Sequence, residues 1–102
     1  MVIAVPYDNM GIIPSGVKNQ NTFKIYVVEN GEVVRSKLAF HFGINKKTPL
    51  PEFLAEQGTE VVVCKKASGA EIKRLEEVGI KVCTGYEGTG DRCVDEYLQK
   101  AE

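Results

Sequence analysis

The chain has 102 residues, 43% of them hydrophobic and 26% charged, with a formal net charge of -1. Those values predict one soluble domain spanning 1–102, with a core that needs no disulfide or metal staple. Near-neutrality removes any whole-molecule pull toward nucleic acid or an anionic membrane, and no apolar run approaches the roughly 20 residues of a membrane span. Three cysteines without C-x-x-C spacing, behind an N-terminus that carries no basic leader, read as reduced thiols in a cytoplasmic protein.

In chain order, Val2 to Pro6 forms a short apolar strand ended by its proline, followed by the glycine-punctuated stretch Tyr7 to Asn21. Phe23, Ile25 and Val27 alternate with Lys24, Tyr26 and Val28, which suits a strand with one face more apolar than the other. Asn30-Gly31 is the strongest hairpin signal in the chain, because both central residues of such a turn need positive φ. The returning strand, Glu32 to about Phe40, alternates less cleanly and gives way to a loop over His41 to Thr48. Thr48-Pro49 reads as N-cap and first helical position, and Gly58 closes that helix.

The run Val61-Val62-Val63-Cys64 has the continuous apolar character of a strand buried on both faces. Ser68-Gly69-Ala70-Glu71 is a capping-box pattern, Ile72, Leu75 and Val78 recur at helical spacing, and Gly79 stops the helix. Ile80 to Cys83 starts the next strand at once. A last helix runs from about Gly90 to Lys100, with Thr89 as N-cap and Asp91 placed to favour the helix dipole.

The order β-β-β-α-β-α-β-α predicts an α/β three-layer fold. Ribonuclease H-like folds have the same element order, and partly by that analogy the five-stranded mixed sheet takes order 3-2-1-4-5, strand two antiparallel and helices on both faces. The segments 7–21, 41–48, 65–69 and 84–90 then leave the same end of the sheet, at the switch point where ligands of open α/β sheets bind.

Three stretches resemble the dinitrogenase iron–molybdenum cofactor biosynthesis family, of the NifX and NafY type. They are IAVPYD at the N-terminus, the F-x-I-Y-x-V-E-N-G-E-V-V hairpin at 23–34, and LAEQGTEVVV…GAEIKRLEEVGIKV…GYEGTGDRCVDEYL at 54–98. The resemblance implies a ribonuclease H-like domain that is not an enzyme. It implies one that binds, stores or delivers an iron–sulfur or molybdenum–iron–sulfur cluster, or a precursor, between donor and acceptor proteins. Many members carry His-Phe-Gly in the loop after the first strand. Here that loop reads Ile13 to Gln20 without histidine, and the only His-Phe-Gly is His41-Phe42-Gly43, after strand three.

Two residue sets are candidates for chemistry. The first is an anion site on the rim. Asp8, Ser15, Gly16, Lys18, Lys65, Lys66, Ser68, Gly69, Gly88, Thr89 and Gly90 bring lysines and two helix N-termini to one end of the sheet, and the free N–H groups of such termini favour anions. Metal–sulfur clusters with carboxylate partners are anionic. The second set is soft-metal ligands, His41, Cys64 and Cys83, with Cys93 one turn into the last helix. Cys64 and Cys83 end neighbouring strands, so their thiols are expected near one another, although free cysteines also serve as small buried hydrophobes. The alternative is a cytoplasmic thiol-redox or small-anion-binding protein without a cluster, in which lysines beside Cys64 lower its pKa. A two-metal nuclease needs carboxylates on the central strands, and Asp8 is the only acid near them.

Overall fold

The computed structural model of the chain describes residues 1–7, 21–41 and 47–101. Eight elements follow in order: β1 (Val2–Pro6), β2 (Thr22–Glu29), β3 (Glu32–Phe40), α1 (Leu50–Glu56), β4 (Val61–Val63), α2 (Gly69–Glu77), β5 (Lys81–Cys83) and α3 (Gly90–Ala101). The strands form one sheet of order β3-β2-β1-β4-β5. β1 and β2 pair antiparallel, as do β2 and β3, whereas β1–β4 and β4–β5 are parallel. This is the mixed sheet and strand order that the sequence predicts.

Alternation along the strands divides the core in two. Ile3, Val5, Tyr26, Val28, Val61 and Val63 point to one face and pack against Cys93, Val94 and Tyr97 of α3. Ala4, Phe23, Ile25, Val62 and Cys64 point to the other, against Phe53 and Leu54 of α1 and Leu75 of α2. Burying an aliphatic side chain of this size stabilises by ~2 kcal/mol, against ~1 kcal/mol for a helix cap. The sandwich of sheet and helices therefore holds the fold, and the caps only set where elements begin and end.

The turn at Asn30-Gly31 forms as expected, with φ of 54° and 79°. β3 then departs from its partner. Val28 pairs with Val33 but Val27 pairs with Arg35, so Val34 is an extra residue in a β-bulge. That bulge breaks the period of two and accounts for the poor alternation of the strand. β3 is also the edge strand, and only Ala39 of its nine residues is buried.

Two local expectations need correction. Thr48 does not cap α1. Pro49 does, with φ -55° and ψ 147° and no side-chain bond, and its carbonyl accepts the first helical hydrogen bond from Phe53. The proline ring presets that dihedral, so the helix starts one residue later than the Thr-Pro pattern predicts. The capping box on α2 is half made. The Ser68 hydroxyl accepts from the Glu71 N–H at 3.2 Å, but the buried Oε2 of Glu71 has no hydrogen-bond partner among the described residues.

Candidate functional site

The carboxyl ends of β1, β3, β4 and β5 meet at one rim, tied together by the backbone. Tyr7 N–H donates to the Thr22 carbonyl, His41 N–H to Asn21, Cys64 N–H to Cys83, and Gly85 N–H to Lys65. α2 and α3 both begin there. Lys65, half exposed, reaches across to Glu87 at 3.1 Å and so clamps the turn before α2 to the turn before α3. Gly85 and Gly88 in that second turn have φ of 91° and 106°, a conformation that side chains rarely adopt.

The start of α3 is the best-defined part of the rim. Thr89 caps it, its hydroxyl accepting from Arg92 N–H at 3.2 Å. Gly90 is pressed onto the sheet: a Cβ there would lie 2.7 Å from the Tyr26 hydroxyl and 3.3 Å from a Val5 methyl. One residue on, the Asp91 carboxylate accepts from the Tyr26 hydroxyl at 2.6 Å and from Lys24 Nζ at 3.0 Å. The hydrogen bond from Tyr26, then that from Lys24, holds the Asp91 carboxyl below its ordinary range against a smaller opposing effect of burial. Burial first, and then Asp91, pushes the Tyr26 phenol far above its usual value, so it stays a donor. The Lys24 ammonium also lies 5.6 Å from the centre of the Tyr7 ring and 5.2 Å from that of Tyr26. Tyr7, Lys24, Thr89, Gly90 and Asp91 together line a cavity of about 140 Å³.

The expected anion-site residues divide accordingly. Thr89, Gly90 and Gly88 belong to this corner, Lys65 faces it through Glu87, and Lys66, Ser68 and Gly69 form the exposed start of α2 next door. Asp8, Ser15, Gly16 and Lys18 lie outside the described residues. The rim is more charge-compensated than a count of lysines implies. Lys24 pairs with Asp91, Lys65 with Glu87 and Arg92 with Glu96, while Lys66 has no carboxylate partner among the described residues. Lys24, Tyr26 and Tyr7 escape sequence reasoning. Their one signal is that Lys24 and Tyr26 share a strand face; that α3 would bring Asp91 onto that face is not a local property.

The soft-metal set is not assembled. Cys64 faces α1 and α2, while Cys83 packs on the α3 side, so the two thiols lie on opposite faces of the sheet. Register is the cause: Cys83 pairs with Val63, not with Cys64. Cys93 is buried under α3 and its thiol donates to the Glu87 carbonyl at 3.3 Å. His41 stands three strands from Cys64, roughly 14 Å at ordinary strand spacing. It is buried, its Nε2–H donates to the Thr48 carbonyl at 2.6 Å, and its ring packs on Phe53 with centroids 4.9 Å apart. Among the described residues no three of histidine, cysteine, aspartate or glutamate are grouped to hold a metal ion.

Nor is Cys64 an activated thiol. Burial chiefly, then the nearby Glu71 and Cys83, pushes its pKa up to about 11, opposite to the lowering expected from its lysine neighbours. The Lys65 ammonium is paired with Glu87 at 3.1 Å.

The family profile for dinitrogenase iron-molybdenum cofactor matches residues 1–100. The chain belongs to that family. Solved structures share the fold of this dinitrogenase iron-molybdenum cofactor domain. The crystal structure of PH0822 superposes with a TM-score of 0.85 at 19% identity, over 98% of this chain and 92% of the other. A crystal structure from Methanocaldococcus jannaschii, of a protein provisionally named a dinitrogenase, gives 0.77 at 18% identity over 98% and 89%. A Thermotoga protein provisionally named NifB gives 0.71 at 19% identity over 96% and 87%. At such identities the likeness establishes the architecture of this family domain alone. No curated protein sequence matches it. No helix among the described residues is long and apolar enough to cross a membrane.

Proposed function

We propose that the chain is a non-enzymatic carrier for an anionic metal–sulfur cluster or its precursor, of the iron–molybdenum-cofactor or another iron–sulfur type, which it takes from a donor protein and yields to an acceptor. Family membership supports a cofactor-related role. The observation that carries the carrier reading is the rim corner at the start of α3, where a helix N-terminus, Lys24 and Tyr7 border one cavity beside the start of α2. A helix start offers free N–H donors and a positive dipole end; Lys24 is neutralised by Asp91, so the uncompensated charge beside this corner is that of Lys66, which has no carboxylate partner among the described residues. Such a site attracts an anion without gripping it, as a transfer protein requires. We also read the strand order as ribonuclease H-like, and place the protein in the cytoplasm, where its three free cysteines stay reduced.

Anaerobic incubation with a cluster donor, followed by gel filtration, tests this. The protein is expected to emerge with visible absorbance and with iron, with or without molybdenum. A colourless, metal-free protein peak contradicts the carrier reading. Retention of simple oxyanions alone would favour the small-anion alternative. The thiol-redox alternative needs a thiolate, and at pH 7 a thiol of pKa about 11 is ionised in only ~1 molecule in 10,000.

A further inference from the structure

β3 ends the sheet, and among the described residues no strand pairs with its outer edge. It runs nine residues without proline, and four of the five exposed large hydrophobic residues among those described lie on it: Val33, Val34, Leu38 and Phe40, each 40% to 50% exposed. A long apolar edge of this kind is a template for another strand unless something blocks it.

Its side chains are sorted by face. Val33 and Leu38 share the α3 side of the sheet with their partners Val28 and Lys24, and Arg35 and Lys37 share the opposite side with Val27 and Ile25. On the α3 side a groove of about 270 Å³ runs between β3 and the helix, lined by Lys24, Tyr26, Val33, Ser36, Asp91 and Asp95. On the opposite side Arg35, Lys37 and Gln57 stand around a cleft of about 320 Å³ floored by Val2, Ile25 and Val27. Neither Arg35 nor Lys37 has a carboxylate partner among the described residues.

We propose that the outer edge of β3 accepts an extended strand of a partner protein in which apolar and acidic side chains alternate. The His41 N–H bonds to Asn21, so by antiparallel alternation Arg35, Lys37 and Ala39 turn their backbone toward β2, and Ser36 and Leu38 turn theirs outward. Those outward groups bond the incoming backbone. Its apolar side chains lie beside Val33 and Leu38, and its carboxylates fall on the other face, opposite Arg35 and Lys37. Asp95 on the groove wall, where Asp91 is already neutralised by Lys24, disfavours acidic side chains on the apolar face and so fixes which way round the strand lies. A second copy of this chain fits poorly. Antiparallel self-pairing centred on Arg35, Ser36 or Lys37 sets Arg35 against Arg35, Arg35 against Lys37, or Lys37 against Lys37.

The proposal is independent of the cluster and is tested without one. Isotope-labelled protein is titrated with millimolar seven-residue peptides alternating valine with glutamate or valine with lysine. The glutamate peptide is expected to shift the amide signals of residues 33–38 and to slow hydrogen exchange at Ser36 and Leu38. The Arg35→Glu/Lys37→Glu variant, whose spectrum reports its folding, is expected to lose about tenfold in affinity for it and to prefer the lysine peptide. Absent shifts, shifts elsewhere, or equal binding by the variant would overturn the proposal. So would a concentration-dependent dimer of the free protein held through β3, which would make a second copy the occupant.

Discussion

Tyr26 and Asp91 are 65 residues apart and joined by a 2.6 Å hydrogen bond, which fastens the first turn of α3 to the middle of the sheet. The aspartate stands in the first turn of α3, where it favours the helix dipole as expected, and it is also the peg by which the helix start is docked, with Lys24 as the second contact. Removing the phenol oxygen with Tyr26→Phe leaves a well-packed ring and loses that bond. The cost is expected to be ~1 kcal/mol in urea unfolding, because the carboxylate is largely exposed and water replaces part of the contact.

The same contact has a pH signature. The folded-state pKa of Asp91 is lowered, so its contribution to stability is fully present above the unfolded value near ~4 and is lost as pH falls through the lower folded value. Wild type and Asp91→Asn should therefore differ most near neutrality and converge in acid. Unfolding at a series of pH values checks this; a gap that stays constant or widens in acid would refute the assignment.

Two glycines that both open helices should behave oppositely. Gly90→Ala puts a methyl 2.7 Å from the Tyr26 hydroxyl and is expected to destabilise by ~1–3 kcal/mol while displacing the start of α3. Gly69→Ala meets nothing within 4 Å and should be neutral or stabilising by up to ~1 kcal/mol. Thermal unfolding of the pair separates a packing requirement from a general need for glycine at helix starts.

His41→Ala removes the donor to the Thr48 carbonyl and the ring on Phe53, with an expected loss of ~2–3 kcal/mol. Chemical unfolding measures it. A variant as stable as wild type would mean that the histidine is held for some purpose other than structure.

Alkylation at neutral pH should find Cys64 and Cys93 slower than a free thiol, since both are buried and burial raises both pKa values. Mass spectrometry of the modified peptides gives the order of reaction. A Cys64 that reacts as fast as free cysteine would restore the redox reading.

How much of this was legible in the sequence depends on the range of the signal. Asn30-Gly31, Ser68 with its helix, and Gly58 and Gly79 as stops act within a few residues, and the structure keeps each of them. One hairpin and one strand–helix–strand crossover were legible locally, while the full strand order came partly by analogy with ribonuclease H-like folds, which share the element order. What failed was register and remote packing. Whether Cys83 stands beside Val63 or Cys64 is a shift of one residue, invisible in either strand alone, and it decides which face the thiol meets. Lys24 and Asp91 are 67 positions apart, and nothing local links them. The lysine count on the rim misled in part for the same reason, because Lys65 pairs with the distant Glu87, although the i,i+4 pair of Arg92 with Glu96 is a local one. Four of the expected anion-site residues, Asp8, Ser15, Gly16 and Lys18, fall outside the described residues.

The central claim is that the rim at the starts of α2 and α3 receives an anionic cluster. The most direct measurement is metal retained per chain after anaerobic loading and desalting, in wild type, in Lys65→Gln/Lys66→Gln, and in Lys73→Gln/Lys81→Gln as a control that removes the same charge away from the rim. Wild type and control are expected to retain equal iron, and the rim variant several-fold less, with the difference shrinking as salt is raised. Equal retention in all three would place the cluster elsewhere, and a metal-free wild type would contradict the account outright.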